Sequence, residues 1–192
     1  MKSENIPNVL TIIRIILIPI LVAALLAETR NGDVLAAIVF ALASITDFVD
    51  GYLARSRNAI TTFGKLMDPI ADKLLVIAAL FALVSLERLD VWVAMVIVTR
   101  ELVVTASRMA ASAQGVVIPA ANWGKLKTVV QGATIFFLIA FSPTPVWVDV
   151  MVYLMVAITI VSAIDYLLGA RRELREAEDA RTLDEARSAS SD

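Results

Sequence analysis

Six apolar runs, near 8–27, 34–56, 63–86, 91–112, 125–142 and 146–168, fill most of this 192-residue chain. Crossing a bilayer as a helix takes roughly 20 mainly apolar residues. A spanning helix also pairs its own backbone N–H and C=O groups, which lipid cannot do for it. Hydrophobic residues make up 59% of the chain, against nearer half in soluble domains. The expected fold is therefore all-α. It is a polytopic membrane protein of six transmembrane helices, with a polar cavity on the cytoplasmic side. The fifth run is the shortest, and the third and fourth carry charges. Beyond residue 170 the composition changes abruptly: "RRELREAEDARTLDEARSASSD" is charged and has no apolar run. This divides the chain into a membrane domain over 1–170 and a cytoplasmic tail over 171–192, expected to begin helical and fray into disorder.

The N-terminal apolar stretch is too long for the core of a cleaved signal, and its only early basic residue is Lys2, so it is expected to stay as the first span. There is no cysteine and no histidine. Disulfides, thiolate chemistry, Ser-His hydrolysis and the usual zinc sites are thereby excluded. A net charge of −2 with scattered basic residues offers no footprint for nucleic acid.

Basic residues set the orientation. The loops near 28–33 and 87–90 hold one Arg each, and the turn near 142–145 holds none. The other ends carry Lys2; Arg55, Arg57 and Lys65; Arg108, Lys125 and Lys127; and Arg171, Arg172 and Arg175. By the positive-inside rule that richer side is cytoplasmic, and both termini lie there. No internal repeat of the inverted-transporter kind is evident.

The chemistry concentrates in "DFVDGYLARSRNAITTFGKLMDPIAD", Asp47 to Asp72. Asp47 and Asp50 are three apart, with Gly51 and Arg55 following at four and eight from Asp47; Asp68 and Asp72 are four apart. Each set falls on one face of a helix. Two spans joined by a short loop bring the four carboxylates together at their cytoplasmic ends. Carboxylates so placed repel one another and resist ionisation unless cations neutralise them. An all-oxygen set selects Mg²⁺, Mn²⁺ or Ca²⁺ over zinc. Four carboxylates can bridge two such ions, an arrangement suited to transfer at phosphorus. Gly51 lets a ligand approach the backbone, and Arg55 is a fork-shaped phosphate donor. The competing reading, charges at helix ends in the headgroup layer, does not explain the interleaved spacing. Pro69 is expected to shape a turn that aims Asp68. Trp92 and Trp147, near span ends, read as interfacial anchors.

The pattern Asp47-x2-Asp50-Gly51-x2-Ala54-Arg55-x8-Gly64-x3-Asp68-x3-Asp72 resembles the signature of the CDP-alcohol phosphatidyltransferases at every position. The resemblance extends over about 5–170. It implies an enzyme that passes the phosphatidyl group of a CDP-linked lipid to an alcohol and releases CMP. It further implies two divalent cations, Mg²⁺ or Mn²⁺, the first on Asp47, Asp50 and Asp68, the second among Asp47, Asp68 and Asp72. Asp72 would also act as catalytic base. Gly51, Arg55 and Thr61 would contact the CDP moiety. Asn8 and Thr11, recurring with Arg14 at three-residue spacing, either join the nucleotide site or satisfy the helix entrance. Such enzymes are usually homodimers in the membrane.

The acceptor is read elsewhere. "NIPNVLTIIRIILIP", "TRELVVTASR" and "NWGKLKTVVQ" resemble the phosphatidylglycerophosphate synthase branch of that family. This implies a bacterial inner-membrane enzyme using CDP-diacylglycerol and glycerol 3-phosphate. A phosphorylated acceptor needs cations, and Arg108, Lys125, Lys127 and Arg100 are the candidates. Arg100 is followed by Glu101, so a buried ion pair competes for it; topology anchoring competes for Arg108 and the lysines. Rival acceptors are inositol phosphate, serine and phosphatidylglycerol. A rival of another class is a divalent-cation transporter, which would place acidic residues along a path from one leaflet to the other.

Overall fold

In the computed structural model the described backbone comprises residues 6–57, 62–113 and 122–189, and the described side chains 12–46, 73–113, 123–173 and 175. It is all-helical: α1 (Ile6–Leu26), α2 (Arg30–Arg57), α3 (Thr62–Ser85), α4 (Val91–Ala113), α5 (Asn122–Ala140) and α6 (Val146–Ala189). Among the described residues there is no strand. Each apolar run becomes one helix.

The six-span expectation is met only in part, and two others change. Among the described residues, only Val146–Glu173 is a helix long and apolar enough to cross a membrane by length and composition, with shorter apolar stretches at Ile12–Leu26 and Lys73–Ser85. Charges lie within several of the runs: Arg100, Glu101 and Arg108 in α4, Lys125 and Lys127 at the start of α5, and the aspartates in α2 and α3. The tail also differs. α6 continues without a break through residue 171 to Ala189. That segment is rich in Glu, Arg, Ala and Leu and lacks Pro and Gly, so nothing in it stops a helix. Nor does Pro69 make a turn: α3 runs on through it, at the loss of one interior helical hydrogen bond.

Packing divides the chain into two compact units, Met1–Met95 with Gln131–Tyr153, and Val96–Val130 with Leu154–Asp192. In the first, α1 packs against both α2 and α3. Its core includes Leu21, Leu25, Phe40, Leu80 and Leu83. Buried Ala36, Ala43, Ala79 and Ala82 let backbones approach closely. The turn from α1 to α2 is tight. Thr29 caps α2, its Oγ1 accepting from the Gly32 N–H at 3.0 Å, the standard relief for an orphaned first-turn donor. Gly32 sits so close to α1 that a Cβ there would lie 2.4 Å from the Ala24 carbonyl oxygen. At the end of α3, Arg88 N–H donates to Leu83 O and Glu87 N–H to Val84 O, with Glu87 at φ 56°. This is the left-handed helix stop usually given to glycine. In the second unit Val104, Ala111, Tyr166 and Ala170 form a buried apolar cluster.

The polarity of the packing is inverted relative to a water-soluble bundle. Arg14, Asp33, Glu101, Lys127, Gln131 and Thr159 are buried. Meanwhile each helix turns large apolar side chains outward: Ile16, Leu42, Phe81, Met95, Val129 and Leu154 are all more than half exposed.

Candidate active site

The aspartate motif is split between two helices of the first unit. Asp47, Asp50, Gly51 and Arg55 lie in the last three turns of α2, and Asp68 and Asp72 in the first three turns of α3. Their side chains lie outside the described residues, as do those of Asn8 and Thr11 in α1, and Thr61 lies outside altogether. The backbone register is nonetheless informative. Asp47 is ten residues before the end of α2 and Asp72 ten residues after the start of α3. At 1.5 Å per residue both stand about 15 Å along their helices from the connector. Asp50 and Asp68 stand about 9–10 Å along, by the same count. The two pairs thus stand at similar distances along their own helices from the connector. The donor set, with neither Cys nor His, fits hard divalent cations.

α1 packs on both of these helices and carries Arg14, only 2% exposed. Eight residues from the start of α1, it stands about 12 Å along that helix.

The basic residues expected to bind an acceptor phosphate lie in the second unit, in three different settings. Lys127 of α5 is buried, and its ammonium pairs with Glu101 of α4. Arg100 donates to the Ser162 hydroxyl of α6 at 2.6 Å and stands 3.7 Å from the Glu101 carboxylate. One carboxylate thus serves two cations, leaving the trio with a single excess positive charge. Arg108, two turns further along α4, has its guanidinium carbon 5.6 Å from the centroid of the Tyr166 ring. Lys125 is exposed at the start of α5.

Sequence reasoning did not find Ser162 and Tyr166, and treated Glu101 only as a rival partner for Arg100. A carboxylate inside an apolar helix is costly unless paired, which was the available signal for Glu101. Its main partner, Lys127, is 26 positions away, and adjacent residues do not face each other on a helix.

The model of the family described as CDP-alcohol phosphatidyltransferase matches residues 4–163. The chain belongs to that family. A probable phosphatidylglycerophosphate synthase of Mycobacterium tuberculosis is 40% identical over 178 residues, spanning 90% of this chain and 85% of the relative. The CDP-diacylglycerol–glycerol-3-phosphate 3-phosphatidyltransferase of Bacillus subtilis is 38% identical over 183 residues, spanning 84% of this chain and 93% of the relative. Among solved structures, the phosphatidylinositol phosphate synthase of Mycobacterium tuberculosis in apo form shares the fold, with a TM-score of 0.59 and 20% identity over 85% of this chain and 87% of that one. The same enzyme has been solved in complex with manganese and citrate. Family membership makes the chain a phosphatidyltransferase and sets aside the transporter reading.

Proposed function

We propose that the chain transfers the phosphatidyl group of CDP-diacylglycerol to glycerol 3-phosphate, giving phosphatidylglycerophosphate and CMP. The observation that carries this acceptor is the 38–40% identity, over most of both chains, to relatives named for that product or that reaction. The relative that makes the inositol lipid stands at 20%. The basic side chains of the second unit agree with a phosphorylated acceptor and disfavour serine.

In this reading Asp47, Asp50, Asp68 and Asp72 hold two divalent cations, Mg²⁺ or Mn²⁺. When bound, such ions neutralise the diphosphate and stabilise the departing CMP. Gly51 admits the nucleotide close to the α2 backbone, and Arg55 grips its phosphate through a charge-assisted pair. Thr61, Asn8 and Thr11 complete that half-site. Arg14 balances the carboxylates. Asp72 takes the proton from the acceptor hydroxyl. Arg108 and Lys125 bind the acceptor phosphate, with Arg100 and Lys127 adding the excess charge of their trio. Because two substrates must meet, orientation supplies much of the acceleration.

The outward apolar side chains on all six helices support a multi-pass inner-membrane enzyme with six spans. Its termini and a polar active-site cavity face the cytoplasm. The membrane domain ends near residue 170 and 171–192 form a charged extension. The small residues Gly132, Ala133 and Ala140 suit close packing within the bundle or in a homodimer.

The deciding experiment measures CMP release by purified protein from CDP-diacylglycerol with Mg²⁺ or Mn²⁺. The acceptor panel is glycerol 3-phosphate, inositol phosphate, serine and phosphatidylglycerol. Turnover with glycerol 3-phosphate at least tenfold above the others is expected. Preference for any other acceptor overturns the assignment while leaving the family intact.

A further inference from the structure

Arg108, exposed on α4, is held differently from the more buried cations of this unit. Arg100 and Lys127 engage a carboxylate or hydroxyl. Arg108 has neither among the described residues; its guanidinium lies over the ring of Tyr166. Tyr166 cannot swing away easily. It is 5% exposed and packed in the cluster with Val104, Ala111 and Ala170, the first two of which flank Arg108 on its own helix. Its hydroxyl is buried without a hydrogen-bond partner among the described residues, so no hydrogen bond of that oxygen accounts for the placement of the ring. A cation over an aromatic face is attracted by the ring quadrupole. Such a contact leaves the N–H donors of the guanidinium available for an anion.

We propose that Tyr166 is a positioning residue for the acceptor: its ring holds the Arg108 guanidinium in place to receive the phosphate monoester of the incoming alcohol. This rests on the assignment of Arg108 to acceptor binding. A free arginine side chain has many rotamers to lose on binding an anion. One already restrained against a fixed ring loses fewer, so the gain appears in acceptor KM. The nucleotide half-site, in the other compact unit, is untouched.

The test is steady-state kinetics of purified, membrane-reconstituted protein with glycerol 3-phosphate and CDP-diacylglycerol varied separately. Tyr166→Leu removes the ring face and is expected to raise the KM for glycerol 3-phosphate about three- to tenfold, leaving that for CDP-diacylglycerol unchanged. Tyr166→Phe keeps the ring and is expected to restore the KM to within about twofold of the parent. In an Arg108→Ala background, Tyr166→Leu is expected to add nothing. If Arg108→Ala raises the acceptor KM but Tyr166→Leu does not, the positioning role fails and the acceptor reading survives. A Phe variant as impaired as Leu assigns the effect to the hydroxyl and overturns the ring-platform role. An unchanged acceptor KM in Arg108→Ala overturns both. Equal loss for both substrates in Tyr166→Leu, with a lowered melting temperature, makes Tyr166 a packing residue and also overturns the proposal.

Discussion

Arg88 grips Asp33 through two parallel hydrogen bonds, Nη1 to Oδ1 at 2.9 Å and Nη2 to Oδ2 at 3.1 Å, across 55 residues of sequence. Nη1 also reaches the Ile139 carbonyl at 3.5 Å, near the end of α5 where carbonyls lack helical partners. One side chain therefore ties the first turn of α2 to the chain just past α3 and to α5, all within the first unit. Both side chains are nearly buried, at 11% and 9% exposure. Removing one partner of such a pair costs about 3–5 kcal/mol, because the other charge is left stranded. Arg88→Ala should lower the melting temperature sharply, and Arg88→Lys should recover only part of it, since an ammonium cannot reproduce the fork. An Asp33→Leu, Arg88→Met double variant should be more stable than either single change. Thermal unfolding in detergent checks all of these.

The turns at this end make opposite demands on glycine. Gly32→Ala would push a methyl group to 2.4 Å from the Ala24 carbonyl oxygen, and the backbone has to move; a loss of about 1–3 kcal/mol is expected. Glu87 holds φ 56°, so Glu87→Gly should gain about 1 kcal/mol by relieving a left-handed conformation. The same unfolding assay reads both, with turnover unchanged because neither position belongs to the proposed site.

Metal removal should abolish transfer. Chelation with EDTA is expected to stop CMP release, and Mg²⁺ or Mn²⁺ to restore it. Asp72→Asn keeps one ligand oxygen but cannot take a proton. It should eliminate turnover while CDP-diacylglycerol binding, followed by equilibrium titration, stays within a fewfold of the parent. Asp47→Ala should weaken metal and nucleotide binding together. Full activity in metal-free buffer would contradict the two-cation reading.

The four basic residues should not behave alike. Arg108→Ala and Lys125→Ala each remove a charge-assisted contact of about 1.5–3 kcal/mol. That corresponds to roughly a ten- to hundredfold rise in the KM for glycerol 3-phosphate. Lys127→Ala strands the buried Glu101 carboxylate, so its first effect should be on stability, about 3–5 kcal/mol. Lys127→Met with Glu101→Gln should restore folding. Kinetics on the restored protein then isolates what the charges contribute to acceptor binding.

Most of the helical plan was legible because apolar run length and helix length are set by the same physical demand. The run near 34–56 became Arg30–Arg57, and that near 91–112 became Val91–Ala113. The last run was read as ending near 168 with a tail that begins helical and frays, whereas α6 reaches Ala189; hydropathy marks the limit of the oil and does not say how far a polar helix runs beyond it. The aspartates were visible as spacing along the chain, since a helix converts spacing of three and four into one face. Partners brought together by tertiary packing were not visible. Arg88 read as a lone loop charge, and Ser162 and Tyr166 looked like ordinary members of an apolar run. No local pattern announces a contact 55 or 62 residues away.

α6 is a single rod of 44 residues, about 66 Å long at the standard rise. Its apolar stretch to Glu173 is about 42 Å of that, enough for a hydrocarbon core and part of the headgroup layers. In the proposed topology the remaining turns would stand clear of the bilayer as a mast. A fluorophore at Ala189 would ride about 24 Å beyond Glu173, at a height set by helix geometry. Energy transfer from such a label to acceptors in the lipid surface would then measure how the last helix tilts as the enzyme fills and empties.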